Sequence, residues 1–241
     1  MSESIKKNKS KKKTYKNIDN NLVIILTSTV NVNMNKSWLH QKDSNTRLLI
    51  YLKSIKNWLY NTKFKIVVIE NSGYNYDELQ NEKKLFSDRF EVINYKEDEL
   101  KDAEYLSNNV SKGASEMFAI NYAINMSDII NRYNPIFIIK ITCRYYIPLL
   151  EEFLKYHDLN NYDCLTQNRR TRCEMVGSHI NNFNNIFNIN LRNKNDKYDV
   201  HAENVWKYRT SQYPINRILV CPEFSIEKTP RGGVDQYFLT I

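Results

Sequence analysis

Lys140, Thr142 and Arg144 stand at alternate positions of the run FIIKITCRYYIP, residues 137–148. On an extended strand alternate side chains share a face, so the two cations and the hydroxyl are expected to point the same way. Such a group suits a phosphate or diphosphate. A guanidinium offers a planar fork of donors, and an ammonium adds a point charge. Three carboxylates are the other groups that invite chemistry. Glu203 stands in HAENVWKYR (201–209) and Glu174 in RCEMVGS (172–178). Glu70 closes the apolar run FKIVVIE. Each has a plainer alternative. Lys140 and Arg144 could pair with carboxylates, Glu70 could cap the turn that follows it, and Glu203 could make an ordinary helical pair with Lys207 four residues on.

The elements that must position these groups follow from hydrophobic patterning. LVIILT (22–27), FKIVVI (64–69), FEVINY (90–95) and IFIIKIT (136–142) are short β-branched runs, the mark of strands buried on both faces. Between them, residues 47–60 place Leu48, Tyr51, Leu52, Ile55 and Leu59 on one helical face. Residues 76–86 read as a further helix. Residues 113–130 read as one helix, entered through Gly113. A short helix is expected over 149–157, and shorter strands at YDCLTQ (162–167) and EMVGS (174–178). The alternation of strand and helix predicts an α/β domain, a mostly parallel sheet with helices on both faces, over residues 21–241. In such sheets ligands lie beyond the carboxyl ends of the strands. That singles out Thr27 and Thr29, Glu70 and Asn71, and Lys140, Thr142 and Arg144. Near the C-terminus, EKTPRGGVDQYF (227–238) reads as a mobile loop that either closes over a phosphate or is a plain surface turn.

Composition narrows the classes. Residues 1–16 hold seven lysines and one glutamate, which is six of the eight net positive charges. A like-charged segment cannot bury enough apolar surface to order itself, so residues 1–20 are expected to form a disordered basic tail able to touch an acidic membrane face. The body is nearly neutral and shows no RNA-binding signature, which argues against a nucleic-acid partner. Five glycines and no G-x-x-x-x-G-K-[ST] or G-x-G-x-x-G motif argue against a P-loop kinase or a dinucleotide dehydrogenase. Four cysteines without a C-x-x-C pair give no zinc pattern. With no secretory signal read at the start, the expected setting is the reducing cytoplasm.

The order of these pieces resembles glycosyltransferases of the GT-A fold, family 2 type. NLVIILTSTV is similar to that family's first strand, and IVVIENSG to its second, whose acidic residue reads the nucleoside. NNVSKGASEMFAINYAI resembles its N-x-G-x-x-x-A-x-N-x-G helix entry, with Gly113 and Asn121 at the glycine and asparagine. HAENVWKYR resembles its E-D-x-x-x-x-x-R segment, which implies Glu203 as the general base, with Glu174 in reserve, and Arg209 at the arginine; the same resemblance implies Glu70 as the contact to the nucleoside. The K-I-T-x-R-Y block is similar to a group of glycosyltransferase-like proteins of large DNA viruses and bacteria, which would make the setting a host cytoplasm. The resemblance implies transfer of a sugar, with inversion, from a nucleotide-sugar to a hydroxyl of a glycan or glycoprotein. It departs at one place. Thr142, Cys143 and Arg144 occupy the positions of the D-x-D motif that holds a divalent ion. The expectation is therefore metal-independent transfer, with Arg144 and Lys140 on the diphosphate and a Mn²⁺ or Mg²⁺ requirement left open. The alternative is a non-catalytic module that binds a glycan or nucleotide.

Overall fold

The computed structural model describes residues 22–168 and 172–241. The basic tail expected over residues 1–20 lies outside them. In chain order the elements are β1 (Leu22–Ser28), α1 (Ser44–Asn61), β2 (Lys65–Glu70), α2 (Gln80–Leu85), β3 (Phe90–Asn94), α3 (Glu104–Ser107), α4 (Lys112–Met126), α5 (Asp128–Tyr133) and β4 (Phe137–Thr142). There follow α6 (Leu150–Lys155), β5 (Cys164–Thr166), β6 (Met175–His179), α7 (Phe183–Ile186), α8 (Ala202–Thr210), β7 (Ile218–Val220), β8 (Ser225–Pro230) and β9 (Tyr237–Thr240).

Seven strands form one sheet in the order β3-β2-β1-β4-β6-β5-β7. β1 pairs in parallel with β2 and β4, and β2 in parallel with β3. β6 alone runs antiparallel, between β4 and β5. The fold is thus α/β with a mostly parallel sheet, as the strand-helix alternation predicts. All seven residues of β1 are buried. Leu22, Ile24 and Leu26 pack on the side of α1, against Tyr51, Ile55 and Trp58. Val23 and Ile25 pack on the opposite side, with Met117 and Ile120 of α4 and Val205 and Trp206 of α8. Each large aliphatic side chain enclosed in this way contributes about 1.5–3 kcal/mol, so the central strands are the most stable part of the molecule.

Local signals set the helix ends. Asp43 accepts from the Thr46 N–H at 2.6 Å and starts α1. Ser111 accepts from Ala114 N–H at 3.2 Å and starts α4. The helix expected over 113–130 is two helices. Ser127 ends α4 and caps α5 by accepting from Ile130 N–H at 3.0 Å, and it donates to Glu91 Oε2 at 2.7 Å. A serine that can satisfy the freed backbone groups makes the break inexpensive, and apolar periodicity does not register it. The C-terminal stretch also differs from expectation. Half of 227–238 belongs to the antiparallel hairpin β8-β9, beside which Ile226, Phe238 and Ile241 enter the core with α1. Only its tip, residues 231–236, is a loop.

Strand order reverses at β1 and β4, whose neighbours lead away in opposite directions. A crevice opens beyond the carboxyl ends of strands at such a switch point.

Candidate functional site

The crevice is a cleft of about 930 Å³. Its floor is made by Thr27–Thr29 at the tip of β1, Asn71 and Ser72 after β2, and Thr142, Arg144 and Tyr145 after β4. One wall is the start of α4, with Lys112, Gly113, Ser115 and Glu116; beside it lie His201, Ala202 and Glu203 at the start of α8. The two helices can meet there because Gly113 has no side chain. A Cβ at that position would stand 2.6 Å from the Cβ of Ala202. Both helix N-termini therefore face the same space, and their partial positive charges favour an anion.

Arg144 lies in the turn after β4, tied down by Cys143 N–H to Thr27 O (2.9 Å) and Thr142 N–H to Glu174 O (2.8 Å). Its Nε is buried and has no hydrogen-bond partner among the described residues. The guanidinium packs against Gly232 in the β8-β9 loop, close enough that a Cβ there would be 2.2 Å from Nη1. Lys112 is the neighbouring cation. Burial, and next the charge of Arg144, lower its pKa below the ordinary lysine value. Among the described residues neither cation makes an ion pair with a carboxylate, so their charges are directed into the cleft. Ser115 Oγ and Glu174 Oε2, both on cleft-lining residues, are likewise buried without a partner. Buried polar atoms of this kind call for a polar ligand or water.

Lys140 behaves differently from the expectation. It is 0% exposed, lying beneath the floor. Its ammonium meets Glu116 Oε1 at 2.7 Å and donates to Cys173 O at 2.7 Å and to Thr142 Oγ1 at 3.2 Å. It also lies 4.9 Å from the centre of the Trp206 ring. Thr27 Oγ1 donates to the same Glu116 oxygen at 2.6 Å. Lys140 and Thr142 do share a face, as alternation requires, but the strand stops at Thr142 and Arg144 is free of that rule. The ammonium is held by partners inside the protein and braces Glu116 and Thr142.

Glu70 is a second correction. It is fully enclosed, and its carboxylate accepts N–H bonds from Val30, Ser72 and Tyr74 at 2.8–2.9 Å and the Ser72 hydroxyl at 2.5 Å. Burial raises its pKa, while these bonds pull the other way. With both oxygens engaged inside the chain it shapes the turn after β2. The side chains on the open side of that turn form a chain. Thr29 Oγ1 donates to Asn71 Oδ1 at 2.5 Å, and Asn71 Nδ2 donates to Glu97 Oε1 at 2.7 Å. Glu97 Oε2 pairs with Lys36 at 3.2 Å.

Glu203 and Glu174 both line the cleft, Glu203 in the first turn of α8. Arg209 is bound to the carbonyls of Ile186, Asn188 and Asn190 at 2.5–3.0 Å, and Asn121 to those of Met117 and Phe187. Both fix the α7-α8 side of the wall. Of the expected set, Thr27, Thr29, Asn71, Thr142, Arg144, Glu174 and Glu203 come together in one cleft. Sequence reasoning missed Lys112, Glu116, Glu97 and Lys36; tertiary packing alone brings in the last three. Lys112 had a signal, because it opens the helix that follows the Ser111 cap.

Among the described residues no three His, Cys, Asp or Glu side chains cluster as metal ligands. At the positions where the resemblance implies a divalent ion stand a hydroxyl, a buried thiol and a guanidinium with its Nε unpartnered. This donor set does not fit a hard cation, which takes oxygen ligands.

The fold and site define an α/β protein with a cationic cleft at its switch point. No family model and no curated protein matches the chain. Among solved structures it is similar, at TM-score 0.43 and 14% identity, to a protein described as a nucleotide-diphospho-sugar transferase from Desulfovibrio desulfuricans G20, over 83% of this chain and 79% of that one. A cytidylyltransferase from Leptospira borgpetersenii serovar Hardjo-bovis matches at TM-score 0.43 and 11% identity, over 91% and 80%. S. aureus TarS 1-349 matches at TM-score 0.43 and 10% identity, over 83% and 58%. Likeness this distant says nothing of chemistry, which rests on the cleft itself.

Proposed function

We propose that the chain is a GT-A-like glycosyltransferase that moves a sugar from a nucleotide-sugar to a hydroxyl of a glycan or glycoprotein, without D-x-D metal ligands. The observation that carries this reading is the pair Arg144 and Lys112. Two cations line an open cleft at the switch point, next to two helix N-termini and, among the described residues, with no carboxylate partner. A diphosphate supplies the missing charge and acceptor atoms, and charge-assisted bonds to it are among the stronger ones available. The nucleoside then extends toward Thr29, Asn71 and Ser72, on the turn that Glu70 shapes.

In this arrangement Glu203 takes the proton of the acceptor hydroxyl as that oxygen attacks the anomeric carbon. The bond from that carbon to the β-phosphate oxygen breaks, and the nucleoside diphosphate leaves with the electron pair. Arg144 and Lys112 stabilise the charge that develops on the leaving group. Proton transfer of this kind contributes typically ~10²–10⁴-fold. Glu174 is the alternative base.

The test is release of free nucleotide from a panel of nucleotide-sugars, with and without Mn²⁺, in the wild type and in Glu203→Gln and Glu174→Gln. Turnover without added metal that falls at least a hundredfold in Glu203→Gln is the expected result. Nucleotide binding with no turnover on any donor favours the non-catalytic module. A strict need for Mn²⁺ would overturn the proposed role of Arg144 and Lys112.

A further inference from the structure

Trp38 combines two properties that rarely occur together. The residue is 66% exposed, yet its backbone is held in a left-handed conformation, φ 58°. A bulky residue adopts such a φ only where its surroundings impose it, and outliers of this kind gather at binding sites. The anchors are visible. Ser37 N–H donates to Val110 O at 2.9 Å, Lys112 Nζ donates to Trp38 O at 2.6 Å, and His40 N–H donates to Gly232 O at 3.1 Å. The backbone is thus fastened to the cleft wall on one side and to the β8-β9 loop on the other, while the indole is left open. The His201 ring lies 6.0 Å away, inclined at 49°. Trp38, His201 and Glu203 all line the same cleft, and His201 is two residues before Glu203.

We propose that Trp38, flanked by His201, is a binding platform for the apolar face of a pyranose ring, and that this ring belongs to the acceptor. The proposal rests on the transferase reading for the word acceptor, though not for the platform. One face of a pyranose carries several C–H groups and little else, so it gains by covering an exposed aromatic ring while its hydroxyls turn to polar neighbours. The nearest carboxylate of the α8 start, Glu203, is the proposed base, so a ring stacked there brings a hydroxyl toward the group that must deprotonate it. The nucleoside has its own polar chain at Thr29, Asn71 and Glu97. Lys112 joins the two ends, because it both holds the Trp38 carbonyl and faces the proposed diphosphate.

The chain has three tryptophans, and Trp58 and Trp206 are 0% and 2% exposed. Quenching of tryptophan fluorescence by iodide or acrylamide in the full chain therefore reports Trp38. The probes are UDP, and methyl glycosides of glucose, galactose, mannose and N-acetylglucosamine with their disaccharides; UDP binding is measured separately by calorimetry. The expected result is that at least one saccharide shields Trp38 while bound UDP does not. Trp38→Ala should weaken that saccharide about tenfold, with most affinity kept in Trp38→Phe. If UDP binds and no saccharide shields Trp38, or if UDP itself shields it, the platform is refuted and the donor reading stands. If UDP, GDP, ADP, CDP and CMP, tried in turn, all fail to bind but a saccharide shields, the platform stands and the transferase reading fails; if neither a nucleotide nor a saccharide binds, both fail.

Discussion

Lys140→Met separates two roles that the sequence leaves open for this residue. A lysine that binds the diphosphate should, when removed, weaken nucleotide binding and leave stability unchanged. The structure demands the opposite. Lys140 is fully buried, and its ammonium holds Glu116 at 2.7 Å and the Cys173 carbonyl at 2.7 Å. Breaking a buried ion pair from one side costs about 3–5 kcal/mol, because the remaining charge stays desolvated. Glu116 is 21% exposed and keeps the Thr27 hydroxyl, so the lower end applies. The orphaned carbonyl adds about 1 kcal/mol. Methionine fills the space of the lysine stem, so no cavity enters the sum. The total is about 3–4 kcal/mol, and in a chain of this size each kcal/mol moves Tm by about 2–4 °C, giving a fall of roughly 6–16 °C. Thermal melts followed by circular dichroism measure it, with UDP binding measured by calorimetry well below both transitions. Glu116→Gln in the same chain should recover part of the loss, since no unpaired charge then remains. An unchanged Tm together with lost UDP binding would refute the reasoning and return Lys140 to the ligand.

Gly232→Ala places a methyl where the Arg144 guanidinium now lies, 2.2 Å from Nη1. Gly232 is not among the residues with positive φ, and the end of an arginine side chain can move, so Tm should hold while UDP affinity falls about 10–100-fold by calorimetry. Gly113→Ala meets Ala202 at 2.6 Å instead, between two helices that cannot yield cheaply. It should destabilise by about 1–3 kcal/mol in denaturant titrations. Arg217 clamps Asp163 with bonds of 2.7 and 3.0 Å, and chiefly through these bonds it holds the carboxyl below its ordinary range. A depressed folded pKa supplies stability above the unfolded value, ~3.9 for aspartate, and that stability is lost as pH falls through the folded value. Asp163→Asn should therefore lower Tm at pH 7, with the deficit shrinking once pH drops below about 4; a deficit that stays constant or grows there refutes the assignment.

Much of the architecture was legible from residue order because it depends on short-range regularities. Buried strands need unbroken β-branched runs, and helices need a 3.6-residue stripe, so β1 to β4 and α1 were placed by Val, Ile and Leu spacing alone. Alternation of strand and helix then made the sheet parallel and put the cleft at Thr27–Thr29, Glu70–Asn71 and Thr142–Arg144. Which groups open into that cleft is a different kind of fact. Whether Lys140 met a ligand or Glu116 depended on where α4, 24 residues earlier, came to rest against β4. Whether Glu70 met a nucleoside or three backbone N–H groups depended on the fold of the turn behind it. Lys112, Gly232 and Trp38 became neighbours only when the β1-α1 loop, the α4 start and the β8-β9 loop closed over one space. Periodicity records which side of an element is buried. The partner of a buried charge is chosen by packing across the chain, where desolvation makes an unpaired ammonium or carboxylate too costly to leave.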